Sequence, residues 1–180
     1  MSEKKRAVFF DRDGVLNELV FRDGKLSAPW EISEFTINPR AKSNIKRLQE
    51  SGLICVVVTN QPDVADRKLD IEKLAAMNEL LKTETNVNAV YVCPHGATDN
   101  CACRKPKLAL IEKAANELNI DTKKSFMVGD RGWDIDSGRA AGCVTIHLPS
   151  LAAKSTDKPF TPDFVAKDLD EAMEIILGKL

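Results

Sequence analysis

The sequence lacks three features that would place it in other classes of protein: a long apolar run at its start, an excess of charge of one sign, and an even set of cysteines. The first apolar run, residues 7–10, is broken by Asp11, so it is too short for a signal peptide or a membrane span, and we expect a cytosolic protein. The 26 Lys and Arg residues against 27 Asp and Glu residues give a formal net charge of −1. The composition therefore predicts no broad attraction to nucleic acid or to an anionic membrane.

The cysteines do not form a disulfide framework. Cys93, Cys101 and Cys103 lie within eleven residues of one another, whereas Cys55 and Cys143 stand alone in apolar runs. An odd, clustered set of cysteines favours a metal site in a reducing compartment. The two isolated cysteines are interpreted as inert thiols of the core.

The order of apolar and helical patterns predicts an α/β protein. The 180 residues are enough for one substantial core, so we expect a single domain over residues 1–180. Short, non-alternating apolar runs predict parallel strands at 7–10, 53–58, 89–92, 125–128 and 143–148. Helices are predicted at 39–50, 71–81, 107–118 and 135–141, followed by a loop over 149–163, a short apolar segment at 164–166 and a last helix at 169–177. Strand and helix alternating in this way indicate a three-layer α/β domain around a parallel sheet.

Polar residues follow four of the predicted strands. The segments are Asp11-Arg12-Asp13-Gly14, Thr59-Asn60-Gln61, Arg104-Lys105-Pro106 and Gly129-Asp130-Arg131. Because ligands bind at the carboxyl ends of parallel strands, we expect these segments to form one site.

The residue types in these segments indicate phosphoryl transfer. Asp11, Asp13 and Asp130 would repel one another without a cation, and carboxylate ligands with no histidine suit Mg²⁺. Lys105 and the hydroxyl of Thr59 would neutralise and bind the phosphoryl oxygens. A carboxylate nucleophile would form an aspartyl phosphate, and Asp13 could protonate the leaving alkoxide and then deprotonate water.

A second metal site is predicted in the loop before Arg104. The spacing Cys-x-His, five residues, Cys-x-Cys offers three thiolates and an imidazole, from Cys93, His95, Cys101 and Cys103. Four such ligands make a closed tetrahedral Zn²⁺ site with no position for a catalytic water, so the zinc would be structural. Its last ligand directly precedes Arg104 and Lys105, so the zinc would orient both cations.

The four polar segments resemble the ordered motifs of the haloacid dehalogenase (HAD) superfamily of phosphatases. The resemblance covers roughly residues 7–148 and implies a Rossmann-like fold. It implies that Asp11 is the nucleophile, that Asp13 is the general acid and base, and that Thr59 and Lys105 stabilise the phosphate. It assigns Mg²⁺ to Asp11, Asp130 and the backbone carbonyl of Asp13. Asn60, Gln61, Arg104 and Lys105 would contact the substrate.

Too few residues separate the motifs for a large cap, so we expect a minimal cap and an open mouth shaped by loops. HAD members with little cap and a zinc loop before Cys-Arg-Lys-Pro comprise heptose 1,7-bisphosphate 7-phosphatases and histidinol-phosphate phosphatases, and this sequence looks like the first group. A second substrate phosphate would favour Arg104, whereas the cationic histidinol would favour a carboxylate such as Glu18. One departure from the heptose pattern is the segment Gln61-Pro-Asp-Val-Ala-Asp-Arg67, in which Asp63 adds a negative charge near the pocket.

The sequence favours a Mg²⁺-dependent, monomeric phosphatase that acts on a small phosphorylated sugar in bacterial nucleotide-heptose and lipopolysaccharide supply. The alternative is a histidinol-phosphate phosphatase. A rival from another class is a zinc-stabilised protein that binds phosphorylated ligands without turnover.

Overall fold

The computed structural model describes residues 3–150 and 159–180, in which eight strands and five helices are arranged along the chain. The strands are β1 (Ala7–Phe10), β2 (Val20–Arg22), β3 (Lys25–Ser27), β4 (Ile54–Asn60), β5 (Ala89–Cys93), β6 (Phe126–Gly129), β7 (Val144–His147) and β8 (Phe164–Val165). The helices are α1 (Ala41–Glu50), α2 (Ile71–Thr85), α3 (Ala109–Glu117), α4 (Gly132–Ala140) and α5 (Leu169–Leu177).

Six strands form a parallel sheet in the order β5-β4-β1-β6-β7-β8. The chain leaves β1 toward one edge through β4 and β5, and then returns to the other side of β1 through β6, β7 and β8. The strand order therefore reverses between β1 and β6, where a parallel sheet opens a crevice for ligands. This order confirms the expected three-layer, Rossmann-like α/β fold.

Helices cover both faces of the sheet because successive side chains of a strand point to opposite faces. Val8 and Phe10 of β1 belong to a core that α1, α2 and α5 complete, and Ala7 and Phe9 belong to a second core that includes α3. All four residues are fully buried. Burial on both faces explains why this strand is a continuous apolar run rather than an alternating one.

The predicted elements are present, but some of their bounds differ, and one hairpin was not predicted. Helix α4 begins at Gly132, three residues before its predicted start. The helix predicted from residue 39 begins at Ala41, because Asn38 closes a turn in which its side chain accepts a hydrogen bond from the amide of Arg40 at 2.9 Å. The helix predicted to end at residue 81 runs to Thr85 and ends at Asn86, which has φ of 62°. The antiparallel hairpin of β2 and β3 was not predicted.

At the carboxyl-terminal end of the chain, the predicted helix at 169–177 is confirmed, and the predicted segment at 164–166 is strand over Phe164–Val165. Residues 151–158 of the predicted loop lie outside the described residues. Within the described parts of the chain, no helix has both the length and the apolar character needed to cross a membrane.

Candidate active site

Three carboxylates meet at the carboxyl end of the sheet, at the point where the strand order reverses. Asp11 directly follows β1, Asp130 directly follows β6, and Asp134 lies in the first turn of α4. Each offers a carboxylate oxygen within 4.8 Å of the other two, and their residues are 7 %, 1 % and 0 % exposed. Like charges this close and this buried repel strongly unless a cation joins them.

Lys105 brings one positive charge into the cluster. Its Nζ lies 2.9 Å from Asp11 Oδ1 and 2.6 Å from Asp134 Oδ1, and it donates to the carbonyl of Val58 at 2.6 Å. Burial alone would lower the pKa of Lys105, but the carboxylates of Asp11 and Asp134 outweigh burial and hold the pKa above its usual value. Lys105 is therefore a fully charged ammonium group.

The carboxylates themselves are held in an environment that disfavours their charge. Burial, and then the charge of Asp11, raises the pKa of Asp130 to about 7, against weaker opposing contributions from Ser150, Arg131 and Lys105. Burial raises the pKa of Asp134, which the Lys105 ammonium opposes and the two neighbouring carboxylates reinforce. The cluster thus carries more negative charge than its own cations offset.

Asp134 is a residue that the sequence analysis missed. It fits against the end of β6 because residue 129 is glycine: a Cβ at Gly129 would lie 2.2 Å from the Cβ of Asp134. Asp134 Oδ2 accepts a hydrogen bond from the amide of Arg131 at 3.0 Å, which fixes the side chain in the first turn of α4. The available signal was a further carboxylate four residues after Asp130, next to the start of the predicted helix at 135–141.

Asp13 does not join the carboxylate cluster with its side chain. The buried guanidinium of Arg12 contacts both Asp13 oxygens at 3.1 Å, while Asn17 donates to Oδ1 at 2.9 Å and Gln61 donates to Oδ2 at 2.6 Å. The three carboxylates that meet are therefore those of Asp11, Asp130 and Asp134, and not that of Asp13. The predicted Mg²⁺ ligands, Asp11, Asp130 and the backbone carbonyl of Asp13, stay a prediction. Arg12 supplies the positive charge that the Asp-x-Asp spacing required.

The last two residues of β4, Thr59 and Asn60, and the next residue, Gln61, contact other residues of the site. Thr59 is fully buried, and its hydroxyl oxygen accepts a hydrogen bond from Gln61 Nε2 at 2.9 Å. Gln61, which is 1 % exposed, therefore links Thr59 to Asp13. Asn60 pairs with the backbone of Lys105, accepting from its amide at 3.0 Å and donating to its carbonyl at 3.1 Å. In this structure Asn60 and Gln61 hold other site residues in place.

The cysteine and histidine ligands predicted for zinc also come together. Cys93 Sγ lies 3.6 Å from both Cys101 Sγ and His95 Nδ1, and Cys103 Sγ lies 3.2 Å from His95 Nδ1. A tetrahedral zinc site with ordinary bond lengths places its ligand atoms about 3.5 to 3.8 Å apart. The cluster thus has the donor set and nearly the spacing of a closed Zn²⁺ site. Arg104 is tied to this loop, since its Nη1 donates to the carbonyl of His95 at 3.1 Å.

Cys55 and Cys143, interpreted as core thiols, are indeed buried. Burial raises the pKa of both thiols to about 12.

A cavity of about 210 Å³ opens onto the carboxylate cluster. Its floor includes Asp11 and Asp130, and two arginines, Arg104 and Arg131, line its walls. The remaining lining residues are Asp13, Leu19, Ser27, Ala28, Asn60, Pro62, Asp63 and Trp133. Two larger surface depressions, of about 590 and 650 Å³, contain none of these residues.

Comparison with known proteins places this geometry in a family. Residues 102–172 match the HAD-hydrolase-like family model. The D-glycero-beta-D-manno-heptose-1,7-bisphosphate 7-phosphatase of Pasteurella multocida is 31 % identical over 191 residues, covering 97 % of this chain and 98 % of the relative. The D-glycero-D-manno-heptose-1,7-bisphosphate 7-phosphatase of Thermosynechococcus vestitus is also 31 % identical, over 97 % of this chain and 96 % of the relative. The chain belongs to the HAD-like family of heptose bisphosphate phosphatases.

A solved structure of this family has the same architecture. The D,D-heptose 1,7-bisphosphate phosphatase of B. bronchiseptica, complexed with magnesium and phosphate, superposes with a TM-score of 0.80 at 27 % identity, covering 97 % of this chain and 99 % of that chain. The family of HAD-like phosphatases predicted from the four motifs is thus confirmed.

Proposed function

We propose that this protein is a Mg²⁺-dependent phosphatase that removes the 7-phosphate of D-glycero-D-manno-heptose 1,7-bisphosphate through an aspartyl phosphate. The observation that carries the proposal is the meeting of Asp11, Asp130 and Asp134 with the buried ammonium of Lys105 at the reversal point of the sheet. The names of the curated relatives support the choice of substrate.

The residues of the cluster fit a magnesium ion. Asp130 Oδ1 is buried and has no hydrogen-bond partner among the described residues, so it is an oxygen that lacks a cation. Burial, reinforced by the charge of neighbouring carboxylates, raises the pKa of both Asp130 and Asp134, and a bound cation would offset both effects. Asp11 and Asp130, with the backbone carbonyl of Asp13, would hold the ion, and Asp134 lies close enough to assist. When bound, magnesium would offset charge on the phosphoryl group as a Lewis acid.

The proposed reaction uses four side chains of this chain. A carboxylate oxygen of Asp11 attacks phosphorus, the phosphorus–oxygen ester bond breaks, and Asp13 gives its proton to the leaving sugar oxygen. Asp13 then takes a proton from water, which attacks phosphorus and releases inorganic phosphate from Asp11. Lys105 Nζ and the hydroxyl of Thr59 donate to the phosphoryl oxygens in both steps. The hydrogen bonds from Arg12, Asn17 and Gln61 hold Asp13 in one orientation for both proton transfers.

The zinc site is proposed to be structural. Cys93, His95, Cys101 and Cys103 fill the four positions of a tetrahedral ion, so none remains for water or substrate. The loop that they close leads directly to Arg104, which lines the cavity, and to Lys105, whose Nζ contacts Asp11 Oδ1 at 2.9 Å.

The charge of the pocket walls supports a substrate with two phosphates. Arg104 and Arg131 both line the cavity, and either guanidinium can bind a phosphate through two parallel hydrogen bonds. A histidinol substrate would instead present positive charge to these arginines, and Glu18 is exposed rather than part of the lining. We accordingly place the reaction in the supply of nucleotide-activated heptose for lipopolysaccharide, in the cytoplasm, by a monomeric enzyme.

The proposal is tested by measuring phosphate release from heptose 1,7-bisphosphate and from histidinol phosphate, with and without Mg²⁺. We expect Mg²⁺-dependent release from the heptose substrate, and Asp11→Asn should lower the rate by several orders of magnitude in protein shown by circular dichroism to be folded at the assay temperature. Faster turnover of histidinol phosphate would overturn the substrate but leave the mechanism. Tight phosphate binding with no release from either compound would support the rival, a binding protein without turnover.

A further inference from the structure

Two chain segments form opposite parts of the pocket rim. We call residues 19–34 the hairpin segment, because they contain β2 and β3, and residues 61–70 the β4 segment, because they follow β4. Both line the cavity, the first through Leu19, Ser27 and Ala28 and the second through Pro62 and Asp63. The distance between the segments therefore sets the width of the mouth.

A side-chain hydrogen bond joins the two segments. Trp30 Nε1, in the hairpin segment, donates to Asp63 Oδ2, in the β4 segment, at 3.0 Å. An indole ring has a single donor, so the hydrogen bond that Trp30 can donate goes to the opposite side of the rim. The acceptor is a carboxylate whose side chain is only 17 % exposed, which makes this a charge-assisted contact shielded from water.

Each partner is fixed within its own segment. The guanidinium of Arg22 stacks over the Trp30 ring at 3.8 Å and is itself paired with Glu34 at 2.6 Å. Lys68 Nζ lies 3.7 Å from Asp63 Oδ1. These contacts leave Trp30 and Asp63 little freedom to separate without disturbing their own segments.

The backbone of Asp63 also closes the β4 segment on itself. Its carbonyl accepts hydrogen bonds from the amides of Lys68 at 2.9 Å and Leu69 at 3.0 Å. A displacement of Asp63 would therefore disturb the whole segment. Trp30 is absent from the cavity lining and packs against the main core, and its direct side-chain hydrogen bond to a residue of the lining is the one to Asp63.

We infer that the Trp30–Asp63 contact fixes the rim width and so determines affinity for a substrate with a second bulky end, such as a sugar bisphosphate. Trp30 is in this sense a positioning residue. The inference rests on the proposed function for the identity of the substrate. The inference predicts that the contact affects binding of the part of the substrate that reaches the rim. It should not affect binding of the phosphate next to Asp11 and Asp130.

The test compares Trp30→Phe, which keeps an aromatic ring but removes the donor, with Asp63→Ala and the double variant. We expect KM for heptose 1,7-bisphosphate to rise roughly tenfold in either single variant, as for the loss of one charge-assisted hydrogen bond. The double variant should be no worse than the singles, because all three lack the same contact. In Trp30→Phe, kcat and the inhibition constant of inorganic phosphate should stay within about twofold.

Tyr91→Phe is the matched control, since Tyr91 donates to the carboxylate of Glu117 at 2.7 Å on an exposed edge of the sheet. It loses an aromatic donor to a carboxylate away from the pocket, and its KM should be unchanged. Hydrogen exchange at the amides of Lys68 and Leu69 adds a measurement that needs no turnover, and Trp30→Phe should accelerate it.

Unchanged KM in Trp30→Phe in an active enzyme, additive effects in the double variant, or unaltered exchange would each overturn the inference. Equal losses of heptose bisphosphate and inorganic phosphate affinity would also overturn it, because they would indicate general damage to the site. A wild-type protein that does not hydrolyse the heptose substrate would instead overturn the proposed function. The two failures are thus distinct.

Discussion

Replacing Gly129 with alanine should damage both the fold and the site. Gly129 ends β6, and an added Cβ would lie 2.2 Å from Cβ and 2.5 Å from Cγ of Asp134. Carbon atoms in contact are normally about 3.5 to 4.0 Å apart, so relief requires a shift of more than 1 Å between β6 and α4. That shift would pull Asp134 away from Lys105, which it contacts at 2.6 Å.

The expected magnitude follows from two contributions. Overpacking a well-packed interior costs about 1 to 3 kcal/mol of the free energy of unfolding. Loss of a good partner for a buried charge adds a further cost of about 1 to 3 kcal/mol. The total of roughly 2 to 6 kcal/mol corresponds to a fall in Tm of roughly 4 to 24 °C for a protein of this length.

Thermal unfolding followed by circular dichroism measures this loss, and phosphate release measures the accompanying loss of activity. Gly96→Ala is a suitable control, because its Cβ would meet its nearest neighbours at 3.6 and 3.7 Å, which is ordinary contact. Its free energy of unfolding should change by less than about 0.5 kcal/mol. Should Gly129→Ala keep the wild-type Tm and activity, the close packing of Asp134 on β6 would be refuted.

Three further predictions concern the charged residues and the metals. Asp134→Asn keeps the side-chain volume but removes a charge beside Lys105. We expect its Mg²⁺ affinity, measured by calorimetry, to fall at least about tenfold. Unchanged affinity would show that Asp134 does not contribute to the magnesium site. Because the folded-state pKa of Asp130 is raised to about 7, metal-free protein should lose stability as pH rises from about 4 to 7. Mg²⁺ should therefore raise Tm more at pH 8 than at pH 5. The pH dependence of stability should be weaker in Asp130→Asn, and an equal dependence in the variant would contradict the assignment of the raised pKa to Asp130. Removing zinc with a chelator, or by Cys103→Ser, should lower both Tm and kcat, and full activity in protein shown to be zinc-free by elemental analysis would count against the structural site.

The sheet could be predicted from the sequence because its strands are buried on both faces and read as continuous apolar runs. The hairpin could not be predicted in the same way, since its strands have only three residues each and Phe21 points out of any core with 73 % exposure. The signal it did carry is the turn Asp23-Gly24, in which both residues have positive φ, of 50° and 78°. Helix α2 extends four residues beyond its predicted end at residue 81, because its last turn is polar and carries no apolar periodicity.

The sequence predicted which residues lie at the strand ends, but not the direction in which the side chain of Asp13 points. Residues two apart share a face only while the chain stays extended, and β1 ends at Phe10. The chain then turns sharply, with the amide of Leu16 donating to the carbonyl of Arg12 at 2.9 Å, and the side chain of Asp13 pairs with Arg12 instead of joining the other carboxylates. Which carboxylate takes its place depends on the approach of α4 to β6, a tertiary contact that sequence spacing only suggests.

Lys105 is a loop residue whose position is fixed as firmly as that of a residue within the sheet. It lies between β5 and α3, where no ladder of backbone hydrogen bonds holds the chain. The side chain of Asn60, at the end of β4, takes the place of such a ladder. It accepts a hydrogen bond from the amide of Lys105 and donates one to its carbonyl. The cluster of Cys93, His95, Cys101 and Cys103 lies in the preceding loop, and the ion pairs with Asp11 and Asp134 hold the Nζ atom at the other end of the side chain. Because Asn60 belongs to the sheet, its contacts hold the backbone of the lysine at the end of a polar loop, and the proposed zinc would add rigidity to that loop.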